Sequence, residues 1–200
     1  MPRSRNPKQT RQIVLEAAYA KILRHGFQAA GLNDILKETG VTKGALYHHF
    51  SSKLELGYAV VDERLKAHIE AWWIKPMEED SDPIETLARV IQHHMSSNEK
   101  TMISLGCPLN NLALEMSDID NGFRQRLEAI YRLWRKALAK ALGRGQVQGF
   151  VNGDVEVEEA AAFIVAALQG ALSQAKAAQS LDAFNECMGG LSNYLTSLRS

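Results

Sequence analysis

The stretch that decides the fold is Gly31-Leu-Asn-Asp-Ile-Leu-Lys-Glu-Thr-Gly-Val-Thr-Lys-Gly-Ala-Leu-Tyr-His-His-Phe50. Its apolar residues recur at helical spacing on both sides of Gly40, which predicts two short helices joined by a tight turn. Gly40 suits the left-handed position after a helix, and Thr42 can cap the helix that follows. The pattern therefore predicts a helix-turn-helix, a unit that places its second helix in the major groove of DNA.

The exposed side of the second helix offers groups that suit contacts with DNA. Lysines bind phosphates, a glycine permits close approach of the backbone, and a histidine can hydrogen-bond to a base edge. The residues that we expect to contact DNA are Thr42, Lys43, Gly44, Ala45, Tyr47, His48 and, at the start of the next helix, Lys53.

Charge is distributed unevenly along the chain. The first 53 residues contain nine Lys and Arg against three Asp and Glu, a net charge of +6. Because the formal net charge of the whole chain is zero, residues 54–200 carry a net charge of −6. A basic segment on an acidic remainder is typical of a nucleic-acid-binding module, although a basic N-terminal segment can also serve solubility alone.

The segment and its flanks resemble the DNA-binding head of the tetracycline-repressor (TetR) family of bacterial transcription regulators. The family pattern has a first helix ending in Gly-Phe, a reader ending in Tyr-x-x-Phe and a nearby Lys that opens a long helix. Here these are Gly26-Phe27, Tyr47-His-His-Phe50 and Lys53. One departure is visible, because Ala30-Gly31 stands where the family commonly has a Ser or Thr cap. We expect a weaker cap there and no side-chain phosphate contact.

The helical patterning and the resemblance together imply an all-α fold. An N-terminal three-helix DNA-binding head with a helix-turn-helix is joined by a long helix to an α-helical ligand-binding and dimerisation body. We predict the head over residues 1–53 and the effector-binding and dimerisation domain over residues 54–200, with the long helix starting at Ser52. We expect this helix to end at Pro76 and the glycines between residues 143 and 153 to form a loop.

The first helix is predicted from about Pro7 to His25, since proline suits the first helical position. Helical spacing assigns four apolar residues to its buried face, namely Ile13, Ala17, Ala20 and Leu23.

The composition of the two C-terminal helices predicts that the chain forms an oligomer. The helix over residues 155–178 is apolar almost all round, including Phe163, Leu168 and Leu172, and such a helix needs cover on every side. We expect a homodimer through residues about 155–198 with a four-helix interface, as the resemblance also implies. The alternative is a monomer in which these helices are central.

Aromatic, methionine and a few polar side chains along the body helices suit a hydrophobic effector site. For each of them, ordinary core packing is the competing interpretation. The candidate ligand-binding residues are Trp72, Trp73, His94, Met95, Met102, Cys107, Tyr131, Trp134 and Phe163.

Cys107 carries a more specific hypothesis. The segment Gly106-Cys107-Pro108 resembles one in a TetR subgroup that responds to electrophiles and oxidants through a cysteine. At the beginning of a helix, we expect the helix dipole to lower the thiol pKa and so to favour the reactive thiolate. A buried, inert thiol is the alternative, and Cys187 is interpreted as structural.

Several classes of function are disfavoured. The sequence offers no acid-base pair, nucleophile with its base, or phosphate loop, so we expect no enzyme, no catalytic residue and no cofactor. Adjacent histidines point apart on a helix, so no metal site is expected either. Glu115, Asp118 and Asp120 are interpreted as solvated or capping acids. No apolar run reaches the roughly 18 residues of a membrane span, so we expect no membrane contact and a cytoplasmic protein.

The sequence therefore predicts a DNA-binding transcriptional repressor of the TetR type. It would bind pseudo-palindromic double-stranded operator DNA and be released by a small hydrophobic or electrophilic effector. A DNA-bound structural or adaptor protein of the same fold, without an effector response, is the alternative.

Overall fold

The computed structural model describes residues 6–200, apart from the side chains of residues 95–99 and 102. Over this part the chain is helical without a β-strand, and only an isolated bridge pairs Val151 with Arg199. The α-helices are α1 (Pro7–Ala29), α2 (Leu32–Thr39), α3 (Lys43–His49), α4 (Lys53–Ala59), α5 (Lys66–Ile69), α6 (Lys75–Glu79), α7 (Pro83–Leu105), α8 (Pro108–Met116), α9 (Asn121–Gln148), α10 (Val157–Ala178) and α11 (Leu181–Ser197). The predicted all-α fold is confirmed.

The helices form two compact units. Unit 1 comprises the chain up to Ala67 together with Asn111–Leu127, and unit 2 comprises His68–Asn110 together with Glu128–Ser200. Within the described part of the chain, no helix is both long enough and apolar enough to span a membrane.

Helix α1 begins where proline predicts it, but its buried face differs from the expected one. Asn6 caps the helix by accepting the Lys8 amide at 3.0 Å. The fully buried positions are Val14, Leu15, Ala18 and Ile22, whereas Ile13, Ala17, Ala20 and Leu23 are only half-buried. The predicted face was wrong because the stripe of Val14, Leu15, Ala18 and Ile22 faces the core. Since α1 contacts α2, α3 and α4, the four predicted residues are also partly covered.

The helical segment from Lys53 to Glu79 contains two π-helical stretches, Val60–Leu65 and Glu70–Ile74. Ser52, the predicted start of the long helix, caps this segment by accepting the Glu55 amide. The expected end at Pro76 was wrong, because α6 continues through this proline to Glu79. A proline removes one amide donor from the helical ladder, and the wider turn of the π-helix directly before it accommodates that loss.

The predicted glycine loop is shorter than expected. Gly143 and Gly145 lie inside α9, which ends only at Gln148, and the chain turns at Gly149 with a φ of 79°. A Cβ atom on Gly145 would lie 2.8 Å from both Pro83 Cγ and Val151 Cγ2. Gly145 is therefore required for close packing inside a helix rather than for ending it.

Unit 2 is built mainly on the pairing of α10 with α11, and both helices also contact α7. One face of α10 supplies much of the core. Its buried residues are Ala160, Ala161, Ile164, Val165, Leu168, Gln169, Ala171, Leu172 and Ala175. One cluster joins this face to Phe184 of α11, and Cys107 packs against it.

Candidate DNA interface and interior ligand site

Local sequence rules account for the conformation of the helix-turn-helix. Gly31 occupies the capping position before helix α2 and provides no side-chain cap, as the missing Ser or Thr predicts. Gly40 adopts the left-handed conformation, with a φ of 63°. Thr42 Oγ1 then accepts the Ala45 amide at 3.2 Å and caps α3. Leu46, fully buried, anchors the inner side of α3.

The outer side of α3 presents most of the residues predicted to contact DNA. Exposed residues there are Thr42, Lys43, Gly44, Tyr47 and His48, while Ala45 is half-buried. The Lys43 ammonium lies 5.9 Å from the centre of the Tyr47 ring, which places a cation beside a hydroxyl-bearing aromatic ring. A Cβ on Gly44 would meet no atom within 4 Å, so the surface there is open to a close approach. This helix face can donate hydrogen bonds to phosphates and base edges.

Lys53 has a role inside unit 1 that the sequence did not indicate. Its Nζ donates to the Gln28 carbonyl oxygen at 2.8 Å and lies 4.9 Å from the centre of the Phe27 ring. The side chain therefore connects the start of α4 to the end of α1. Since an ammonium has three N–H donors, a contact with phosphate remains compatible with this geometry.

Glu115, interpreted from the sequence as a solvated or capping acid, has a long-range role in unit 1 that the sequence did not indicate. Its carboxylate accepts the backbone amides of Phe27 at 2.9 Å and Gln28 at 2.8 Å. These amides follow Gly26, whose φ of 79° breaks the regular helix after His25. Because the partners are 87 and 88 residues apart in the chain, no local pattern could have revealed the contact.

A cluster of aromatic rings packs beside the turn at Gly26. The Phe27 and Phe123 ring centres are 4.6 Å apart, and those of Tyr58 and Phe123 are 5.2 Å apart. The Tyr58 hydroxyl donates to Asp120 at 2.8 Å, which raises the pKa of Tyr58. Asp120 also accepts the Phe123 amide, which lowers the pKa of Asp120 and caps α9. The interpretation of Asp120 as a capping acid is confirmed.

In unit 2, four of the predicted ligand-binding residues form one aromatic cluster. The His94 ring lies 4.6 Å from the Trp72 ring and stacks on Trp73 at 5.0 Å, measured between ring centres. Trp73 in turn lies 5.1 Å from Trp134. Helices α7 and α9 and the π-helical stretch before α6 thus bring together residues that are far apart in sequence.

His94 has an unusual environment at the centre of this cluster. It is only 4% exposed, and neither ring nitrogen has a hydrogen-bond partner. Burial, followed by the nearby His68 and His93, lowers the pKa of His94 to about 4. The ring is therefore uncharged at neutral pH, with one N–H donor and one acceptor nitrogen that are both unsatisfied.

A group of polar residues lies at the start of α8 in unit 2. The Tyr131 hydroxyl donates to Asn110 Oδ1 at 3.3 Å, and Asn110 Nδ2 donates to Ser173 Oγ at 2.9 Å. Burial raises the pKa of Tyr131, and the neighbouring Cys107 adds to the shift. The Gln169 carboxamide lies close enough to Cys107 for a weak side-chain hydrogen bond, which lowers the pKa of the thiol but is outweighed by burial. Neither polar atom of this buried carboxamide has a hydrogen bond of ordinary geometry.

The expected lowering of the Cys107 pKa was wrong. Backbone amides of Asn110 and Leu109 do act in that direction, as a helix start should. Burial has the larger effect and raises the pKa of the Cys107 thiol. The half-buried Cys107 packs against the α10–α11 cluster, and this burial disfavours its thiolate.

Phe163 was also placed wrongly. It is 51% exposed, and its ring meets that of Tyr194 at 4.5 Å on the outer surface of α10 and α11. The reason is its position on the helix, since the neighbouring residues Ala161 and Ile164 occupy the buried face. The predicted contacts of Met95 and Met102 lie outside the described residues.

Comparison with known proteins identifies the class of the molecule as a helix-turn-helix transcription regulator. Residues 14–60 match the family described as bacterial regulatory proteins, tetR family, and residues 83–190 match the tetracyclin repressor-like C-terminal domain. The chain belongs to the TetR family, and it is a transcription regulator rather than an enzyme.

Relatives and solved structures agree over nearly the whole chain. An uncharacterized HTH-type transcriptional regulator of Lactococcus lactis is 30% identical over 88% of both proteins. The HTH-type transcriptional repressor DhaR of a Mycobacterium species is 28% identical over 83% of this chain and 82% of DhaR. The reduced form of E. coli NemR is similar with a TM-score of 0.83 and 25% identity, over 92% of this chain and 96% of NemR.

Proposed function

We propose that this chain is a homodimeric repressor that binds a pseudo-palindromic operator and is released by a small-molecule effector in unit 2. The observation that supports DNA binding most directly is the capped helix α3, whose outer side carries Lys43, Tyr47 and His48. A relative named as a repressor supports repression rather than activation. Since its target is operator DNA, we place the protein in the cytoplasm.

In this proposal the residues of α3 have different tasks. Lys43 and Lys53 contact phosphates and fix the position of the helix, with Thr42, Gly44, Ala45 and Tyr47 beside them. His48 reads a base edge. Phosphate contacts contribute equally at every sequence, whereas a base contact discriminates between sequences.

Replacing Lys43 with alanine is expected to weaken binding to operator and random DNA by similar factors. The slope of log K for DNA binding against the logarithm of the salt concentration should become shallower by about one for each α3 helix, because one phosphate contact is lost. His48→Ala should instead cost about 1 kcal/mol at one operator position and leave random DNA unaffected. Fluorescence anisotropy at several salt concentrations measures both effects.

Lys140→Ala is the matched control, because Lys140 is an exposed cation of α9 in unit 2. Its salt slope should equal that of the wild type. A Lys43→Ala variant with the wild-type slope would contradict the assignment of α3 to the DNA interface.

The dimer is proposed to form through residues about 155–198. On α10 and α11 the exposed Phe163 lies beside Tyr194, and Gly189 and Gly190 are exposed with open space where a Cβ would be. Glycines permit close approach of helices, and an exposed Phe ring beside them suits an interface. Leu168 and Leu172, which the sequence also suggested as interface residues, are buried inside their own protomer.

Phe163→Asp is therefore expected to raise the dimer dissociation constant by about tenfold or more, because it places a charge in an apolar interface. Sedimentation velocity over a range of concentrations measures the change. Val147→Asp is the control, since Val147 is 90% exposed at the end of α9. Equal dissociation constants for the two variants would exclude Phe163 from the interface.

Release from DNA follows from a population shift in this proposal. An effector that binds one arrangement of the dimer better raises the population of that arrangement. If the two α3 helices are then no longer spaced for successive major grooves, the operator dissociates. The effector is a small hydrophobic molecule or an electrophile that reacts at Cys107, and the raised pKa of the Cys107 thiol favours the former.

A further inference from the structure

Three consecutive charged residues of the π-helical stretch Val60–Leu65 each form an ion pair within unit 1. The pairs are Asp62–Arg126, Glu63–Arg11 and Arg64–Glu16. Two of the partners, Arg11 and Glu16, lie on α1. Successive residues are about 100° apart around an α-helix, and the wider turn of a π-helix makes this angle smaller. The stretch can therefore direct two neighbouring side chains at the same helix.

The pair between Glu63 and Arg11 has the geometry of a planar fork. Arg11 Nη1 donates to Glu63 Oε2 at 2.7 Å, and Arg11 Nη2 donates to Glu63 Oε1. Two parallel hydrogen bonds fix the plane of the guanidinium, which a single hydrogen bond does not. These hydrogen bonds raise the pKa of Arg11 and lower the pKa of Glu63, so both groups are charged at neutral pH.

The same guanidinium lies against the end of α3. Its Cζ atom is 5.0 Å from the centre of the Phe50 ring, a distance at which a cation is attracted to an aromatic face. Phe50 is only 4% exposed, and its amide donates to the Leu46 carbonyl oxygen at the end of α3. Arg11 therefore contacts the residue that ends α3, while Glu63 holds the plane of its guanidinium.

The exposure of this pair separates a positioning role from a stabilising one. The side chains of Arg11 and Glu63 are 36% and 41% exposed, and ion pairs this exposed contribute little to the free energy of unfolding. Hydrogen bonds to base edges, in contrast, depend closely on the orientation of α3, whereas contacts with phosphates carry no sequence information. A small change at this pair can therefore alter operator recognition without unfolding unit 1.

We propose that Arg11 is a positioning residue for DNA recognition. Glu63 orients the Arg11 guanidinium on the Phe50 ring, and this contact sets the orientation of α3 in the major groove. The inference rests on the proposed function, because α3 must be the helix that reads the operator. It adds that an acidic residue, which ordinarily weakens DNA binding by repelling phosphates, here strengthens binding to the operator.

Glu63→Gln is the sharpest test, because its effects through charge and through geometry act in opposite directions. Removing a negative charge from unit 1 should slightly tighten binding to any DNA. Loss of the fork should instead weaken binding to the operator, since a carboxamide has only one acceptor oxygen. We expect the Kd for the operator to rise about fivefold, while the Kd for random DNA stays the same or falls. Weaker operator binding cannot result from the change in charge itself.

Arg11→Lys tests the other side of the pair at constant charge. Lysine keeps the positive charge but lacks the planar fork, so operator binding should weaken by a similar factor. Asp62→Asn is the matched control for Glu63→Gln, because the ion pair of this adjacent acid joins α9 instead. Arg24→Lys is the control for Arg11→Lys, because Arg24 is an exposed residue of α1. Both controls should bind the operator no more weakly than the wild type does.

Fluorescence anisotropy measures binding to two labelled duplexes of roughly 30 base pairs, long enough to hold two half-sites. One duplex is selected by the wild-type protein from a randomised library and serves as the operator. The other is the unselected library, which serves as random DNA. Urea denaturation of each variant measures its free energy of unfolding in parallel.

The possible results distinguish this inference from the proposed function. A wild-type protein that selects no duplex from the library would contradict both. With a selected operator in hand, unchanged or tighter operator binding in Glu63→Gln would overturn the inference and leave the proposed function intact. Equal weakening on both duplexes, or a marked loss of stability in Glu63→Gln, would also overturn it, because the pair would then have only a structural role.

Discussion

Replacing Gly57 with alanine is expected to lower the free energy of unfolding by about 3 kcal/mol, the upper part of the range for overpacked cores. A Cβ at this position of α4 would lie 2.4 Å from Phe27 Cε2 and 2.7 Å from Phe123 Cζ. Both rings are buried and pack against each other, so neither can move away without disturbing the other. Chemical denaturation followed by circular dichroism measures the loss.

Gly143→Ala is the matched control, and its effect on the free energy of unfolding should have the opposite sign. Gly143 also lies inside a helix, but a Cβ there would meet no atom within 4 Å. Alanine should therefore stabilise the protein by about 0.5–1 kcal/mol through its higher helix propensity. If both variants were equally stable, close packing would not be the reason for glycine at position 57.

The helix-turn-helix could be predicted from the sequence because short-range rules determine it. The left-handed Gly40 and the Thr42 cap each depend on residues within one helical turn. The missing cap at Gly31 was predictable for the same reason. Such rules act before any tertiary contact is considered, so one sequence suffices to apply them.

Errors arose where tertiary packing overrides a local rule. Pro76 normally ends a helix, yet the π-helical stretch before it lets α6 continue. A glycine inside a helix normally weakens it, yet the missing Cβ of Gly145 makes room for Pro83 and Val151. Pro83 is remote from Gly145 in the chain, so this contact cannot be inferred from the residues that flank the glycine.

The candidate ligand site likewise combines features that the sequence predicts with features that only the structure shows. Composition and helical spacing suggested that Trp73, His94 and Trp134 would share an interior site, and they do lie in one cluster. The same reasoning put Phe163 there, because apolar character alone does not distinguish an interior surface from an outer one. That His94 lacks a hydrogen-bond partner depends on every element around it, so only the structure reveals it.

Glu115→Gln is expected to lower the free energy of unfolding by about 2–3 kcal/mol, a typical contribution of hydrogen bonds to a charged group. The carboxylate accepts two backbone amides, from Phe27 and Gln28. A carboxamide has only one acceptor oxygen, so its NH₂ group would face one of these donors. The turn at Gly26 would lose its partner, and hydrogen exchange of the Phe27 and Gln28 amides should become faster.

Operator affinity should fall as well in Glu115→Gln, because α1, which ends in this turn, packs against both α2 and α3. Glu128→Gln is the control, since Glu128 is exposed and forms one surface ion pair with Arg135 at 3.0 Å. That variant should lie within about 0.5 kcal/mol of the wild type. If amide exchange at Phe27 and Gln28 were unchanged in Glu115→Gln, the carboxylate would not be what holds the turn. Faster exchange together with weaker operator binding would instead establish that α8 helps to position the DNA-reading helices through a single side chain.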